Sequence, residues 1–386
     1  MKENAELRNH LRAVRLRLKL SQQELATAAG VARQTVGGIE SELYAPSAVV
    51  AIKLARALGC TVDELFWLES DREQITATVA TSSSEFKPAV GASGLRVALA
   101  RISDRWIAYP LHADTAFRMQ MIPADGLAKR LNGEDTLTVE IIDDQEDLAR
   151  TVVVAGCAPA LSLWATSAER WFPGLRVHWQ QANSLDGLRA LASGEAHIAG
   201  IHLSDTVSGS RNREAVRTAV QDVKVSLVHL GVWTEGLLVA AGNPQNLRSV
   251  EDLHREDVRI VNREEGSGSR LLLDNFLVTL QKRGCPGPED IIGYNDCVSS
   301  HREIAARIAV GSASVGIGPE SIAAVYGLGF VPLASVRYDL AILDAYLDLE
   351  PVRQLLSTLQ HRSVQQQLAV SGGFDTTLSG EIESVR

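Results

Sequence analysis

LSQQELATAAGVARQTVGGIESELYAPS, residues 20–47, decides how the first part of this chain is read. Ser21 can cap a helix, and Glu24, three residues on, is the partner that closes a capping box. Leu25 and Ala29 recur at helical spacing, and Gly30 can adopt the left-handed turn that ends a helix, with Val31 burying beside it. A second short helix is expected from about Ala32 to Glu40. Val36 and Ile39 point inward in that helix, leaving Arg33, Gln34 and Thr35 on its outer, N-terminal face. Long hydrogen-bond donors at the start of the second of two such helices suit readout of base edges in a major groove.

The surroundings extend the pattern. An apolar-periodic opening helix, LRNHLRAVRLRLKL, precedes the motif, and PSAVVAIKLARALGCTVDELF closes it with two more helices. From about Glu6 to Leu68 the stretch resembles the lambda-repressor-like, XRE-type helix-turn-helix family. The resemblance implies that Gln22, Ser41 and Tyr44 hold phosphates near the helix ends while Arg33, Gln34 and Thr35 read bases. Arg8, Arg12, Arg15, Arg17 and Lys19 cluster along and after the first helix, as a DNA-facing bundle would want. Gly37 and Gly38 depart from a good recognition helix, since each costs about 1 kcal/mol relative to Ala. Either that helix is short, or its backbone comes close to something.

At 386 residues the chain exceeds one ordinary core, so two or three domains are expected. The start, MKENAELRNH, lacks the apolar run of a secretory signal, and TVVVAGCAPALSLWA is too short and too interrupted to span a bilayer. A cytoplasmic protein with no membrane partner is expected. The cysteines at 60, 157, 285 and 297 show no CxxC spacing, and the histidines form no HxH or HxxxH pair. Spacing therefore points to reduced thiols and to no cation site. Residues 1–68 hold 9 Lys/Arg and 7 Asp/Glu, so the remainder of the net −9 is −11. A weakly basic head on an acidic body fits DNA binding by paired heads, hence a homodimer on a roughly palindromic operator.

Four segments follow from the pattern: a helix-turn-helix domain over 1–68, a linker over 69–94, a small β-rich connecting unit over 95–150, and an α/β body over 151–386. The linker, SDREQITATVATSSSEFKPAVGASG at its centre, is poor in large apolar residues, with a short element near Ile75. LRVALARI and RWIAYPL read as strands around a turn at Ser103-Asp104-Arg105, and TLTVEIID as another. From Thr151 strands and helices alternate, which predicts parallel sheets wrapped by helices in two lobes. VSLVHLGVW and EGLLVAAG read as two strands, and FVPLASVRYDLAIL as a strand pair.

In the body, VAGCAPAL, SLDGLRALASGEAHIAGIHL, EGLLVAAGNPQNL, VNREEGSGSRLLLD and GSASVGIG, in that order, resemble the periplasmic-binding-protein-like family. The resemblance covers about 151–350 and implies a two-lobed, type II fold with a ligand in the cleft. For some relatives it implies molybdate or tungstate, here an effector rather than a cofactor. The residues themselves support an anion site. Ser267, Gly268, Ser269 and Arg270 lie between a strand and a helix, which places free N–H groups, hydroxyls and a guanidinium at a helix N-terminus. Asn183 and Ser184 form a second such terminus, Cys157 and Ala158 a third, and all three turns lie beyond the carboxyl ends of strands. His202, ending AHIAGIHL, could also donate to a ligand.

Each residue has a plainer reading. Ser184 could serve only as a cap, Cys157 as a small core residue and His202 as a satisfied structural histidine. Arg270 could pair with Glu264 or Glu265. Trp106, Trp164, Trp233 and Tyr294 either pack the core or wall an organic ligand. Asp205, Asp296 and His301 read as isolated loop or capping residues. With no nucleophile beside a base at motif spacing, the expectation is a non-enzymatic, ligand-responsive transcriptional regulator. A small organic acid or a molybdenum-cofactor-related ligand is the alternative effector. A cytoplasmic enzyme or accessory protein of molybdenum-cofactor metabolism is the alternative class.

Overall fold

A computed structural model describes residues 6–69, 73–81, 94–112, 121–132, 135–203, 208–221, 223–370 and 373–385. The chain divides into two compact units, Met1–Glu73 and Gln74–Arg386. Most of the expected linker and Asp205 fall outside the described residues.

In the first unit, β1 (Glu6–Asn9) is followed by helices α1 (Leu11–Arg17), α2 (Gln22–Ala29), α3 (Arg33–Glu40), α4 (Ala48–Leu58) and α5 (Val62–Leu65), then β2 (Phe66–Glu69). The capping box of Ser21 and Glu24 forms, and Gly30 ends α2 at φ +61°. Ser47 caps α4 by accepting the Val50 N–H, and Thr61 closes a second capping box with Glu64 at α5. Leu11, Leu25, Val36, Ile39, Leu54 and Leu65 are buried in one core. The opening helix is shorter than its apolar pattern suggests. Residues 6–9 instead pair antiparallel with β2, Leu7 opposite Leu68 and Asn9 opposite Phe66. Backbone pairing with a segment about sixty residues away outweighs local helix preference there, a partner that local periodicity cannot reveal.

The second unit opens with a closed barrel of β3 (Gln74–Val79), β4 (Leu95–Ile102), β5 (Arg105–Pro110), β6 (Gly126–Leu131) and β7 (Thr136–Ile141), in the order β3-β5-β4-β6-β7. Ser103, at φ +54°, makes the tight turn between β4 and β5. The first barrel strand lies inside the stretch whose composition reads as linker, pairing with β7 and β5. Alternating small residues such as Ala77, Ala108 and Ala128 fill the barrel and mute its hydrophobic signal. α6 (Gln145–Ala149), capped by Asp144, leads out of it.

The body then runs β8 (Thr151–Ala155), α7 (Pro159–Trp171), β9 (Arg176–Gln180), α8 (Ser184–Ala192), β10 (Ile198–Ile201), α9 (Ser210–Ala219) and β11 (Val225–Val239). It continues with β12 (Ile260–Arg263), α10 (Gly268–Gln281), β13 (Cys297–Val298), α11 (His301–Ala309), β14 (Val315–Pro319), α12 (Glu320–Tyr326) and β15 (Gly329–Leu343). Helices α13 (Asp344–Leu347), α14 (Glu350–Ser357) and α15 (Arg362–Val370) and the short strands β16 (Phe374–Asp375) and β17 (Ile382–Val385) close it.

The strand order is β13-β12-β14-β11-β15-β10-β8-β9. Starting from β9 it reads second, first, third strand of a lobe, then β15 and β11. Starting from β13 it again reads second, first, third, then β11 and β15. Two lobes thus share one topology, with β11 and β15 common to both. Each of these is a single 15-residue strand rather than the expected pair, and its halves serve different lobes. The sheet is also mixed, not purely parallel: β8, β9 and β10 are parallel, as are β12, β13 and β14, while β10–β15, β14–β11 and β11–β15 are antiparallel. Register shifts at His229/Gly231 and Glu235/Gly236 bend the long pair where it passes between lobes.

The lobes meet. Gln181 Nε2 donates to Ser299 O at 3.0 Å, and the Leu185 N–H to Gly266 O at 3.3 Å. The barrel is tied to the first lobe: Tyr109 Oη donates to Glu195 O at 2.5 Å, and Arg176 to Asp125 at 2.6 Å. No helix among the described residues is long and apolar enough to cross a membrane.

Candidate functional site

Three strand-to-helix turns build the centre of the interlobe cleft. β8 delivers Cys157, with Ala158 as the N-cap residue of α7 and Pro159 in its first turn. α8 begins at Ser184 behind its N-cap Asn183, which accepts from the Asp186 N–H. α10 begins at Gly268 behind its N-cap Ser267, which accepts from the Arg270 N–H. His202 follows β10. Cys157 Sγ lies 3.7 Å from His202 Nδ1, and Ser184 Oγ lies 3.5 Å from the same nitrogen while accepting from the His202 backbone N–H at 3.2 Å. Gly268 packs so closely on His202 that a Cβ there would overlap its carbonyl oxygen and ring. Cys157, Ala158, Asn183, Ser184, His202, Ser267, Gly268, Ser269 and Arg270 are all buried.

Arg270 departs from expectation. It pairs with neither Glu264 nor Glu265: its Nε donates to Asp274 at 3.0 Å, and its guanidinium stacks 4.1 Å over Tyr294. Tyr294 Oη in turn donates to Asp274 at 2.7 Å. The one-turn spacing of Arg270 and Asp274 on α10 makes that pair easy to form. Asn183 spends its Oδ1 as a cap and its Nδ2 on Asp186 Oδ2 at 2.7 Å and Glu265 O at 3.4 Å, whereas Ser267 Oγ accepts as a cap and keeps its O–H to donate.

Other residues enter that the sequence did not single out. Arg263, the last residue of β12, is fully buried and paired with Glu264 at 2.8 Å. Its Nη1 faces His301 Nε2 at 3.1 Å. A guanidinium only donates, so His301 Nε2 accepts and its Nδ1 carries the hydrogen. Glu235, on β11, has Oε1 accepting from Ser269 Oγ at 3.0 Å and Trp233 Nε1 at 3.3 Å, with His202 Nε2 3.4 Å away. Four polar atoms in this cluster are buried without a hydrogen-bond partner: His202 Nε2, Glu235 Oε2, His301 Nδ1 and Tyr338 Oη. Such orphans are rare in native interiors, and here they gather around one spot. A strand that ends in Arg next to a turn was the available signal for Arg263, but it is shared with many surface strands; Glu235, inside β11, carried no such mark.

Burial pulls His202 towards its neutral form, yet Cys157 and Glu235 outweigh that and raise its pKa to about 10. Burial, with the positive charges of Arg263 and His202, pushes His301 well below the usual histidine range. The centre thus holds one imidazolium and one neutral imidazole. Cys157, His202 and His301 bring ligand atoms within 4.8 Å of one another, a proximity that sequence spacing did not show. The donor role of His301 Nδ1 and the adjacent guanidinium favour an electron-rich guest over a cation.

Beside this centre, a cavity of about 530 Å³ is lined by Leu185, Leu203, Ala215 and Leu271, with Arg211, Glu214, Glu265 and Arg270 at its polar edge. Trp233 packs against His202, Tyr338 and Phe374, and the buried Trp164 donates to Thr358 at 2.8 Å.

On the helix-turn-helix, Arg33 and Gln34 are exposed at the start of α3, and Thr35 is half-buried. Gln22 donates to Glu40 at 2.8 Å, and Ser41 Oγ to Gly37 O at 2.7 Å. The Tyr44 ring lies on Gly38, where a Cβ would overlap it, and Tyr44 Oη reaches Thr35 O at 3.3 Å. The glycine in the middle of this helix is therefore the seat of an aromatic ring. Arg15 is buried and paired with Glu40 at 2.5 Å, and Arg8 pairs with Glu42, so the basic cluster is partly structural.

A family model described as PBP superfamily domain matches residues 165–360, and one described as helix-turn-helix matches 11–65. The chain is 32% identical over 200 residues to the uncharacterized protein YvgK of Bacillus subtilis (strain 168), covering 52% of this chain and 63% of that relative, so it spans less than two thirds of YvgK. It is 37% identical over 65 residues to the uncharacterized HTH-type transcriptional regulator YgzD of the same organism, covering 17% of this chain and 98% of YgzD. Among solved structures it is similar to the sulfate-binding protein SubI from Mycobacterium tuberculosis H37Rv, with a TM-score of 0.43 and 19% identity over 58% of this chain and 86% of that one. It is likewise similar to an ABC-type phosphate transport receptor from Vibrio cholerae, with a TM-score of 0.40 and 16% identity over 58% of this chain and 99% of that one.

Proposed function

Since this chain belongs to the PBP superfamily domain family and begins with an XRE-type helix-turn-helix domain, we propose that it is a one-component transcriptional regulator that senses a small ligand between its lobes. The observation that carries the sensing half is the set of buried atoms without a hydrogen-bond partner where the lobes meet: His301 Nδ1, Glu235 Oε2 and Tyr338 Oη, with His202 Nε2 held only by its 3.4 Å ion pair to Glu235 Oε1. Burying polar groups without partners costs roughly 1–3 kcal/mol each, a cost that a guest filling the same space removes. Three of these atoms belong to donors, and Arg263 adds a fixed positive charge. A small oxyanion, molybdate or tungstate in the first instance, meets that demand, with the Ser184 hydroxyl and the backbone amides of Ala158, Gly268 and Ser269 as further donors, the Ser269 hydroxyl being spent on Glu235.

Arg33 and Gln34 read base edges. Thr35 joins them from its half-buried place on α3, while Gln22, Ser41 and Tyr44 brace the recognition helix and approach phosphates. The protein acts as a cytoplasmic homodimer, because one weakly basic head gives little affinity on its own. Ligand changes operator affinity only through its preference for one lobe arrangement, with a coupling of about 1–3 kcal/mol.

The deciding experiment measures operator affinity of the full chain with and without molybdate or tungstate, sulfate serving as control. A shift with either metal oxyanion and none with sulfate supports the reading; no shift and no calorimetric heat removes both effectors. A second reading, a small organic acid or a molybdenum-cofactor-related ligand, is favoured by the apolar floor of the neighbouring cavity, formed by Leu185, Leu203 and Leu271. Its size suits a small organic molecule. Tryptophan quenching by organic acids alone would select it.

A further inference from the structure

The cleft contains more than a binding site requires. Cys157 Sγ faces His202 Nδ1 at 3.7 Å, and the other nitrogen of the same ring faces Glu235 Oε1 at 3.4 Å. Ser269 and Trp233 donate to that same carboxylate oxygen and hold it in place. Cys157 sits at the start of a 13-residue helix, in the turn after a buried strand. A thiol next to a base, and the base next to a fixed carboxylate, are the parts of an activated nucleophile. Distances of this size are common before substrate tightens such a set.

Two donors complete it. His301 presents Nδ1–H, because Arg263 occupies its other nitrogen, and that N–H has no acceptor. One nitrogen of its ring lies within 4.8 Å of ligand atoms of both Cys157 and His202. Tyr338 Oη is also buried and partnerless, and its ring stacks on His202 at 5.6 Å. Partnerless donors beside a nucleophile are what a developing oxyanion needs.

We propose that Cys157, His202 and Glu235 form a nucleophile–base–carboxylate relay, and that the cleft takes an acyl compound which Cys157 captures as a thioester. This goes beyond ligand sensing and does not depend on the DNA-binding head. The sulfur attacks the carbonyl carbon, an S–C bond forms, and the carbonyl electron pair moves to oxygen, where His301 Nδ1–H and Tyr338 Oη–H receive it. The pair returns, the bond to the leaving group breaks, and that group departs with the proton held on His202. Water then attacks the thioester while neutral His202 takes its proton; the C–S bond breaks and the sulfur leaves as thiolate. The sum is acyl compound plus water giving carboxylic acid plus protonated leaving group. Glu235 is a positioning residue that acts through His202. The charge of His202, maintained against burial by Cys157 and Glu235, is consistent with this resting state. The other charged or titratable groups facing the pair are Arg263 (itself paired with Glu264), His301 and Tyr338.

The test exposes the full chain to p-nitrophenyl acetate and follows acetylation of each cysteine by mass spectrometry. Cys285 is half-buried and Cys297 exposed, so accessibility alone predicts that both react before buried Cys157. The proposal expects Cys157 to react at least about tenfold faster than either, and His202→Gln to slow it on the order of 100-fold. Glu235→Gln should move the alkaline limb of the pH profile to lower pH, which a purely structural role would not do. If Cys157 reacts no faster than Cys285, or as fast in the His202→Gln protein, the proposal is overturned. Should His202→Gln fail to fold, thiolate ultraviolet absorption at about pH 6, compared between the native chain and Cys157→Ser, decides the matter: present, it supports the relay; absent, it overturns it. Regulation fails separately, through an operator affinity that no ligand alters.

Discussion

Arg263 Nη1 donates to His301 Nε2 at 3.1 Å, and both side chains are buried between β12 and α11. This contact sets the tautomer of His301, and with it the character of the cleft. The guanidinium is held in turn by Glu264 and by the Ser299 carbonyl. Lysine cannot reproduce that fork. Arg263→Lys is expected to cost about 3 kcal/mol in urea unfolding, because a buried ammonium cannot serve Glu264, His301 and the Ser299 carbonyl together. It should also remove calorimetric ligand binding. Unaltered binding would show that His301 does not face the guest.

Gly268 belongs to the turn on which the anion reading rests, and it touches His202 directly. Gly268→Ala is expected to hold the lobes apart, since backbone cannot yield as a side-chain tip can. Overpacking of this kind costs about 1–3 kcal/mol, so ligand affinity should fall about 10- to 100-fold, with operator binding by the unliganded protein unchanged. Titration calorimetry and operator gel shifts measure the two separately.

Gly38 and Tyr44 predict a non-additive pair. In an exposed helix Gly→Ala gains about 1 kcal/mol. At Gly38 the new methyl would displace the Tyr44 ring, so Gly38→Ala alone should stabilise little or destabilise. In a Tyr44→Ala background the same change should recover the gain. A double-mutant cycle by thermal unfolding tests the coupling, and full additivity would contradict the packing described.

Arg33 carries the operator prediction. It is exposed at the first turn of α3, so Arg33→Ala should leave stability within about 0.5 kcal/mol. Operator binding should weaken by about 1–3 kcal/mol with loss of preference at one base position. A uniform loss across sequences would make Arg33 a phosphate contact instead.

His197 gives the acid limb of stability. Burial lowers its pKa to about 4, and its Nδ1 accepts the Val153 N–H at 3.0 Å, which requires the neutral ring. A folded pKa below the unfolded one means that this contribution is present above pH about 6.5 and is lost as pH falls towards about 4. His197→Asn, which keeps an acceptor near the Nδ1 position, should flatten the pH dependence of urea stability across that window. His202 acts with the opposite sign: its folded pKa is raised, so its contribution is complete below pH about 6.5 and disappears as pH rises through about 10.

Local chemistry alone determined much of this protein. Capping boxes, left-handed glycines and apolar period define α2 to α5, because each depends on residues within one turn of one another. The same logic located the turns at 157, 183 and 267, since a strand running into a helix opened by a cap or a proline leaves a plain local trace. Only the tertiary structure decided the rest. The β1–β2 pair and the barrel join segments far apart in the chain, and the long β11 and β15 looked like pairs of strands because their bulges interrupt alternation. The cleft shows the same division: Arg270 turned to Asp274 and Tyr294 on its own side, while Arg263, Glu235, His301 and Tyr338 converged on His202 from four separate strands and helices. Convergence of that kind leaves no spacing to read, because the distance between such groups is set by packing of the lobes and not by the number of residues between them.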